Sequence, residues 1–166
     1  AGIAQVLSTL NSAVDGRYLF AGQAVDTPPM IQDNTMLDEV ETVVATHVAA
    51  AGGRIDTTAQ VDALLAEITS MFDDSHANPA LHFSGQLYQG AADATADLSF
   101  DDGTGRAITY GAKASEGGVR SLLEGLHLLA AVQKSDGQFG AAAYKQLAEA
   151  TVSKIDAGSI GVTSIE

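Results

Sequence analysis

Four histidines and a scatter of carboxylates are the side chains in this 166-residue sequence best suited to acid–base or metal chemistry. His47 falls in a stretch with Val43, Val44 and Val48, His127 lies among leucines, and His76 and His82 sit in or beside a polar segment opened by Asp73 and Asp74. Carboxylate oxygens and imidazole nitrogens are zinc-type ligands, so Asp73, Asp74, His76 and His82 are the one group close enough in sequence to suggest an ion. No two histidines stand four apart, the helical spacing that zinc hydrolases use. Cysteine is absent, which removes disulfides, thiolate nucleophiles and Cys-ligated metals together. The 73–82 segment therefore reads as an ordinary polar loop.

Asp101-Asp102-Gly103-Thr104-Gly105-Arg106 is the second stretch with chemical potential. A calcium loop needs alternating oxygen ligands and a glutamate at its twelfth position, and Ala112 stands there instead. A dinucleotide loop needs a third glycine and a following helix. Neither a phosphate-binding Gly-Lys-Ser/Thr nor a Gly-x-Ser-x-Gly elbow occurs. The stretch reads as a hairpin turn. A carboxylate acid–base pair would need an apolar pocket that the sequence does not display. The expectation is no catalytic residue, no cofactor-binding residue and no metal ligand.

Arg17, Tyr18 and Phe20 are the remaining candidates, for contact rather than catalysis, because aromatics and arginine dominate the energetics of protein interfaces. The competing reading gives Tyr18 or Phe20 to a small local core and Arg17 to an acidic neighbour. Both readings depend on the elements around them. Ile3, Val6, Leu7, Leu10 and Val14 make one stripe of a helix over Gly2 to Val14, which Asp15-Gly16 stops. Arg17 to Ala21 reads as a short strand, and Pro28-Pro29 as a stiff exit.

Beyond the prolines, Leu37, Val40, Val43, Val44 and Val48 mark a helix from Met36 to Ala51. Val61, Leu64, Leu65, Ile68 and Phe72 mark another from Thr58, capped by Asp56-Thr57-Thr58. Together they predict an αα-hairpin. Phe83 to Gln89 reads as extended, and Ala94 to Phe100 with Arg106 to Tyr110 as an antiparallel β-hairpin. Ser115 caps a helix whose stripe is Val119, Leu122, Leu123, Leu126 and Leu129, ending at Val132. A last helix begins near Phe139, with Tyr144, Ala148, Thr151, Ile155, Gly158, Val162 and Ile165 on a 3.5-residue seam.

The fold class is α+β and predominantly α. An elongated helical rod is expected from 1–30 and 115–166, its first and last helices side by side, with an outward-facing α+β insert over 31–114. The helical patterns are already running at the start and still running at the end, which predicts a piece of a longer protein.

Composition bounds the partners. With 8 basic and 21 acidic residues the net charge is −13, a surface that repels phosphate backbones and anionic lipid, so neither nucleic acid nor membrane is an expected partner. No apolar run approaches a membrane span, and no cleavable secretory signal opens the sequence. Tryptophan is absent and aromatics make up 5%, which leaves no stacking platform for bases or sugars.

Asp15-Gly16-Arg17-Tyr18-Leu19-Phe20-Ala21-Gly22, followed by Asp26-Thr27-Pro28-Pro29, resembles the bacterial flagellin family, and most closely its members at the hook–filament junction. Phe83-Ser84-Gly85-Gln86-Leu87-Tyr88-Gln89-Gly90 is similar to an extended Tyr-x-Gly segment of those proteins. Ala107-Ile108-Thr109-Tyr110-Gly111-Ala112-Lys113-Ala114 resembles the family's strand before a leucine-rich helix. Ile160-Gly161-Val162 stands where the family has Leu-Gly-Ala, without the Asn-Arg pair that follows there.

The resemblance implies a structural subunit, exported through the type III apparatus without a cleaved signal and assembled outside the cell as part of the flagellum. Its partners would be hook-associated proteins, flagellin, an export chaperone and, in the full-length protein, further copies of itself. Main filament flagellin is the alternative within the family. A metal- or carbohydrate-binding extracellular domain is the alternative outside it, and would need a concave pocket holding two or more of the histidines.

Overall fold

The computed structural model describes residues 2–92, 98–101, 107–110, 113–135 and 137–163, with backbone alone at 98–101, 107–110 and 160–163. The protein is mostly helical with small antiparallel β elements, in agreement with the predominantly α reading. Helices α1 (Gly2–Leu10), α2 (Thr35–Ala50), α3 (Thr58–Phe72), α5 (Gly117–Lys134) and α6 (Ala141–Thr163) carry the packing. Two hairpins accompany them: β1 (Ala13–Val14) with β2 (Arg17–Tyr18), and β3 (Leu98–Asp101) with β4 (Ala107–Tyr110). In the second, Leu98 stands opposite Tyr110 and Phe100 opposite Ile108, as the alternation predicts. Its connecting loop, with the Asp102-to-Arg106 stretch, lies outside the described residues.

Each helix forms where its apolar period demands burial. Met36, Val40, Val43, Val44 and Val48 are the buried stripe of α2. Val61, Leu64, Ile68, Met71 and Phe72 are that of α3. The start of α3 is a complete capping box: Gln60 N donates to the Thr57 hydroxyl, and the Gln60 side-chain oxygen accepts from Thr57 N. One hydrophobic cluster takes in Leu7 and Leu10 of α1, both stripes above, Leu123 and Leu128 of α5, and Ala143 and Leu147 of α6.

The main partner of α6 is α5, and α1 also packs on α5. The first and last helices, expected side by side, are therefore not each other's main partners: α5 takes that place for both. Glycine makes the α5–α6 packing close: a Cβ at Gly158 would sit 2.5 Å from Leu122 N, and one at Gly125 would sit 2.7 Å from Ile155 Cγ1. Helix backbones can approach this far only where no side chain intervenes.

Several local expectations are corrected. α1 ends at Leu10, not Val14, and Val14 is exposed in a strand. The strand after the turn is Arg17–Tyr18 and stops short of Ala21, which bridges to Lys113. Phe83–Gln86 forms a short helical stretch, α4, interrupted by extended Ser84 and by Gly85 at φ 103°. Glu116, not Ser115, is the residue before α5, and Ser115 is buried. On α5, Leu129 is exposed. On α6, Tyr144 and Ala148 face outward, and the buried line is Ala143, Leu147, Thr151 and Gly158. The line is shifted by one residue over the first two turns and rejoins the expected seam at Thr151 and Gly158. The Val162 side chain and Ile165 lie outside the described residues.

Candidate functional site

Asp15-Gly16 forms the tip of a hairpin, and this is the main correction to the sequence reading. Asp15 has φ 52° and Gly16 φ 77°. Positive φ at both central residues of a two-residue loop is the primed turn that matches strand twist, and Asp-Gly is a preferred pair for it. The register is Ala13 opposite Tyr18 and Val14 opposite Arg17. What looked like the end of a helix is a small projection, displayed just past that end.

The projection is firmly anchored. Leu19 N donates to Ser12 O at 3.0 Å, and Tyr18 N to Val25 O at 2.8 Å. Phe20 packs against the main cluster, and its carbonyl accepts from Ala114 N at 2.9 Å. The Asn11 amide closes the segment at its base, with Nδ2 donating to Met30 O and Oδ1 accepting from Met30 N, each at 2.8 Å. Pro28-Pro29 leads into an antiparallel contact: Met30 bridges Tyr88, and Gln89 N donates to Pro29 O at 2.8 Å.

The three expected contact residues therefore divide. Arg17 is exposed, Tyr18 is half-buried, and Phe20 is half-buried on the core side. Two residues the sequence reading did not single out complete the outer surface: Val14, 57% exposed, and Leu19, 49% exposed. Among the described residues, the Arg17 side chain has neither an ion-pair nor a hydrogen-bond partner.

The histidines do not gather with Asp73 and Asp74: His47 and His76 approach the two oxygens of Glu67, at 2.7 and 3.7 Å, while His82 and His127 point elsewhere. Asp74 turns to Arg120 and Ser84, while Asp73 Oδ1 accepts from Ser75 N. His76 Nδ1 accepts from Asn78 N at 3.0 Å, and His82 Nε2 donates to His76 O at 2.8 Å. His47 Nε2 donates to Glu67 Oε2 at 2.7 Å, joining α2 to α3. Among the described residues no three ligating side chains converge as a metal would require. His127 is buried, its Nδ1 donating to Leu123 O at 2.7 Å with Phe72 alongside. Burial holds its pKa below the ordinary value, and the bond to Leu123 offsets only part of that.

Two polar knots hold the helices in register. Arg120 donates from Nε to Ser115 O, and from one terminal nitrogen to Phe72 O and Asp74, at 2.7 to 2.8 Å, with its guanidinium over the Phe83 ring. Burial pulls the Asp74 carboxyl upward, but hydrogen bonds from Ser84 and Arg120, with the Arg120 charge, bring it below the ordinary value. Glu124 is buried between helices, accepting from Thr69 Oγ1 at 2.6 Å and from Lys154 Nζ at 2.7 Å.

A cleft of about 530 Å³ opens along Gly2–Ser8 of α1, between residues 32–34 and α5. Ile3, Leu7, Leu37, Leu126 and Leu129 line it, Ser8, Gln32, Asp33, Asn34 and Gln133 are polar members, and it holds one of the four histidines, His127. The arrangement offers a recess of leucines and amides with an acid at the rim, and a separate apolar projection carrying an arginine whose side chain has no partner among the described residues. Comparison with protein-family models, curated proteins and solved structures returned no match.

Proposed function

We propose that this chain is a structural subunit of the bacterial flagellum, of the flagellin type and most like the protein that joins hook to filament. The hairpin at Ala13–Tyr18 is the observation that carries the proposal. It is built from the residues that bear the family resemblance, and it presents Val14, Arg17 and Leu19 outward from an anchored base. Exposed apolar side chains beside an arginine are the composition of a protein contact. A pair of long helices in close register, α5 and α6, suits a load-bearing element better than a reaction vessel.

On this reading the subunit is exported by the type III apparatus and assembles outside the cell with hook-associated proteins, flagellin and its own copies, after release from an export chaperone. The division into rod, 1–30 and 115–166, and outward insert, 31–114, belongs to the same proposal. Deleting the gene should leave filament subunits exported into the medium while stable filaments fail to form. Normal filaments in the deletion strain would refute the junction role.

A further inference from the structure

The hairpin projection and the α1–α5 cleft differ in shape and charge, and they sit at successive places along one helix. The cleft runs along Gly2–Ser8, and the hairpin begins at Ala13, just past the C-terminal end of α1. At 1.5 Å per residue, the far end of the cleft and the hairpin are separated by about 15 Å along the axis. The hairpin cannot fold back into its own cleft, because Asn11 to Met30 and Phe20 to Ala114 fix its base.

Charge points to the occupant. Arg54, Arg120, Lys134, Lys145 and Lys154 each pair with a carboxylate of their own chain. Arg17 has no such partner among the described residues, in a chain with 21 acidic residues. Asp33, at the cleft rim, uses Oδ1 to accept from Thr35 N and is otherwise exposed. Apolar side chains accompany the charge on both surfaces, Val14 and Leu19 on one and Leu37, Leu126 and Leu129 on the other.

We infer that the cleft receives the hairpin of a second copy, with Val14 and Leu19 against its leucines and Arg17 against Asp33. One copy's projection in the next copy's recess is a heterologous contact, which propagates as a chain or closes as a ring. The inference rests on the reading of the chain as an assembly subunit, yet the two fail separately. Normal filaments in the deletion strain remove the junction role and leave the contact standing, while a monomeric protein removes the contact alone.

Sedimentation equilibrium of the 166-residue chain up to about 1 mM tests it, a range that registers association with a Kd as weak as about 1 mM. Concentration-dependent association is expected, weakened at least about tenfold by Arg17→Glu and equally by Asp33→Arg. Mixing these two variants should restore association, because each then meets an opposite charge at both contacts. The double variant should associate with itself but not with the wild type. Unchanged circular dichroism would show that these exposed substitutions leave the fold intact. A chain monomeric throughout, or association insensitive to either substitution, overturns the inference. So does loss of association in Arg17→Glu with none in Asp33→Arg, which would place the hairpin against some other surface.

Discussion

Two arginines divide the molecule into what holds it together and what it displays. Arg120 has two carbonyl partners, a carboxylate and an aromatic face, and joins α5 to the end of α3 and the loop beyond. Arg17 stands on a hairpin among exposed apolar residues with no partner among the described residues. The same side chain is a structural tie when its planar donors meet fixed acceptors, and a recognition element when they meet none. The difference lies in what surrounds each residue in space, because both have an acid within a few positions in sequence.

That contrast can be broken most directly at the tie. Arg120→Ala should cost about 3 kcal/mol in urea denaturation, since it strands the Phe72 and Ser115 carbonyls and leaves Asp74 without its cation. A loss under about 1 kcal/mol would put Arg120 in the same class as Arg17. Acid should loosen the same knot. Asp74 titrates below its ordinary 3.8, so its contribution is present above that value and is lost as pH falls through the lower folded value.

Gly158→Val tests whether the helix pair beneath the ties tolerates any spacing but its own. The added Cβ would meet Leu122, and a loss of about 2 kcal/mol is expected from overpacking. A melting temperature unchanged from wild type would mean that α5 and α6 can separate freely.

A smaller effect is expected at His127. Its folded pKa lies below 6.5, so the unfolded chain binds the proton first and stability declines as pH falls below 6.5 towards the folded value. His127→Leu should flatten that part of the denaturation profile relative to wild type, and an identical profile would show that His127 does not carry it.

Smallest of all should be Arg17→Ala and Leu19→Ser, each within about 0.5 kcal/mol of wild type in stability. Any larger loss would make the hairpin part of the folding core and end its role as a displayed surface.

The long helices were legible because burial imposes a period. Val40, Val44 and Val48, or Val61, Leu64 and Ile68, reveal α2 and α3 directly, and Thr57 marks a boundary by its chemistry. On α6 the same method picked Tyr144 over Ala143, because alanine and threonine are weak markers of a buried face and the aromatic drew the line toward itself. Asp15-Gly16 was misread for a related reason: glycine after a helical stripe signals a helix stop as readily as a hairpin, and the two-residue strands gave no alternation to decide between them. Glu124 with Lys154 and Thr69 was out of reach, since its members are brought together only by the packing of three helices. Of the candidate surface, Arg17 was visible in the sequence, whereas Val14 and Leu19 passed as ordinary members of a stripe and a strand.

The paired bonds from Asn11 to Met30 give residues 12–29 a common foot, since one amide holds the entrance and the exit of the segment side by side. A piece of chain that leaves and returns at one point is portable. Provided the foot and the inward-packed Phe20 and Ala21 are kept, its outer face can be exchanged for that of another variant without refitting the helices below. Diversity in what the molecule touches can then accumulate in a few outward positions, while the scaffold that carries them stays the same.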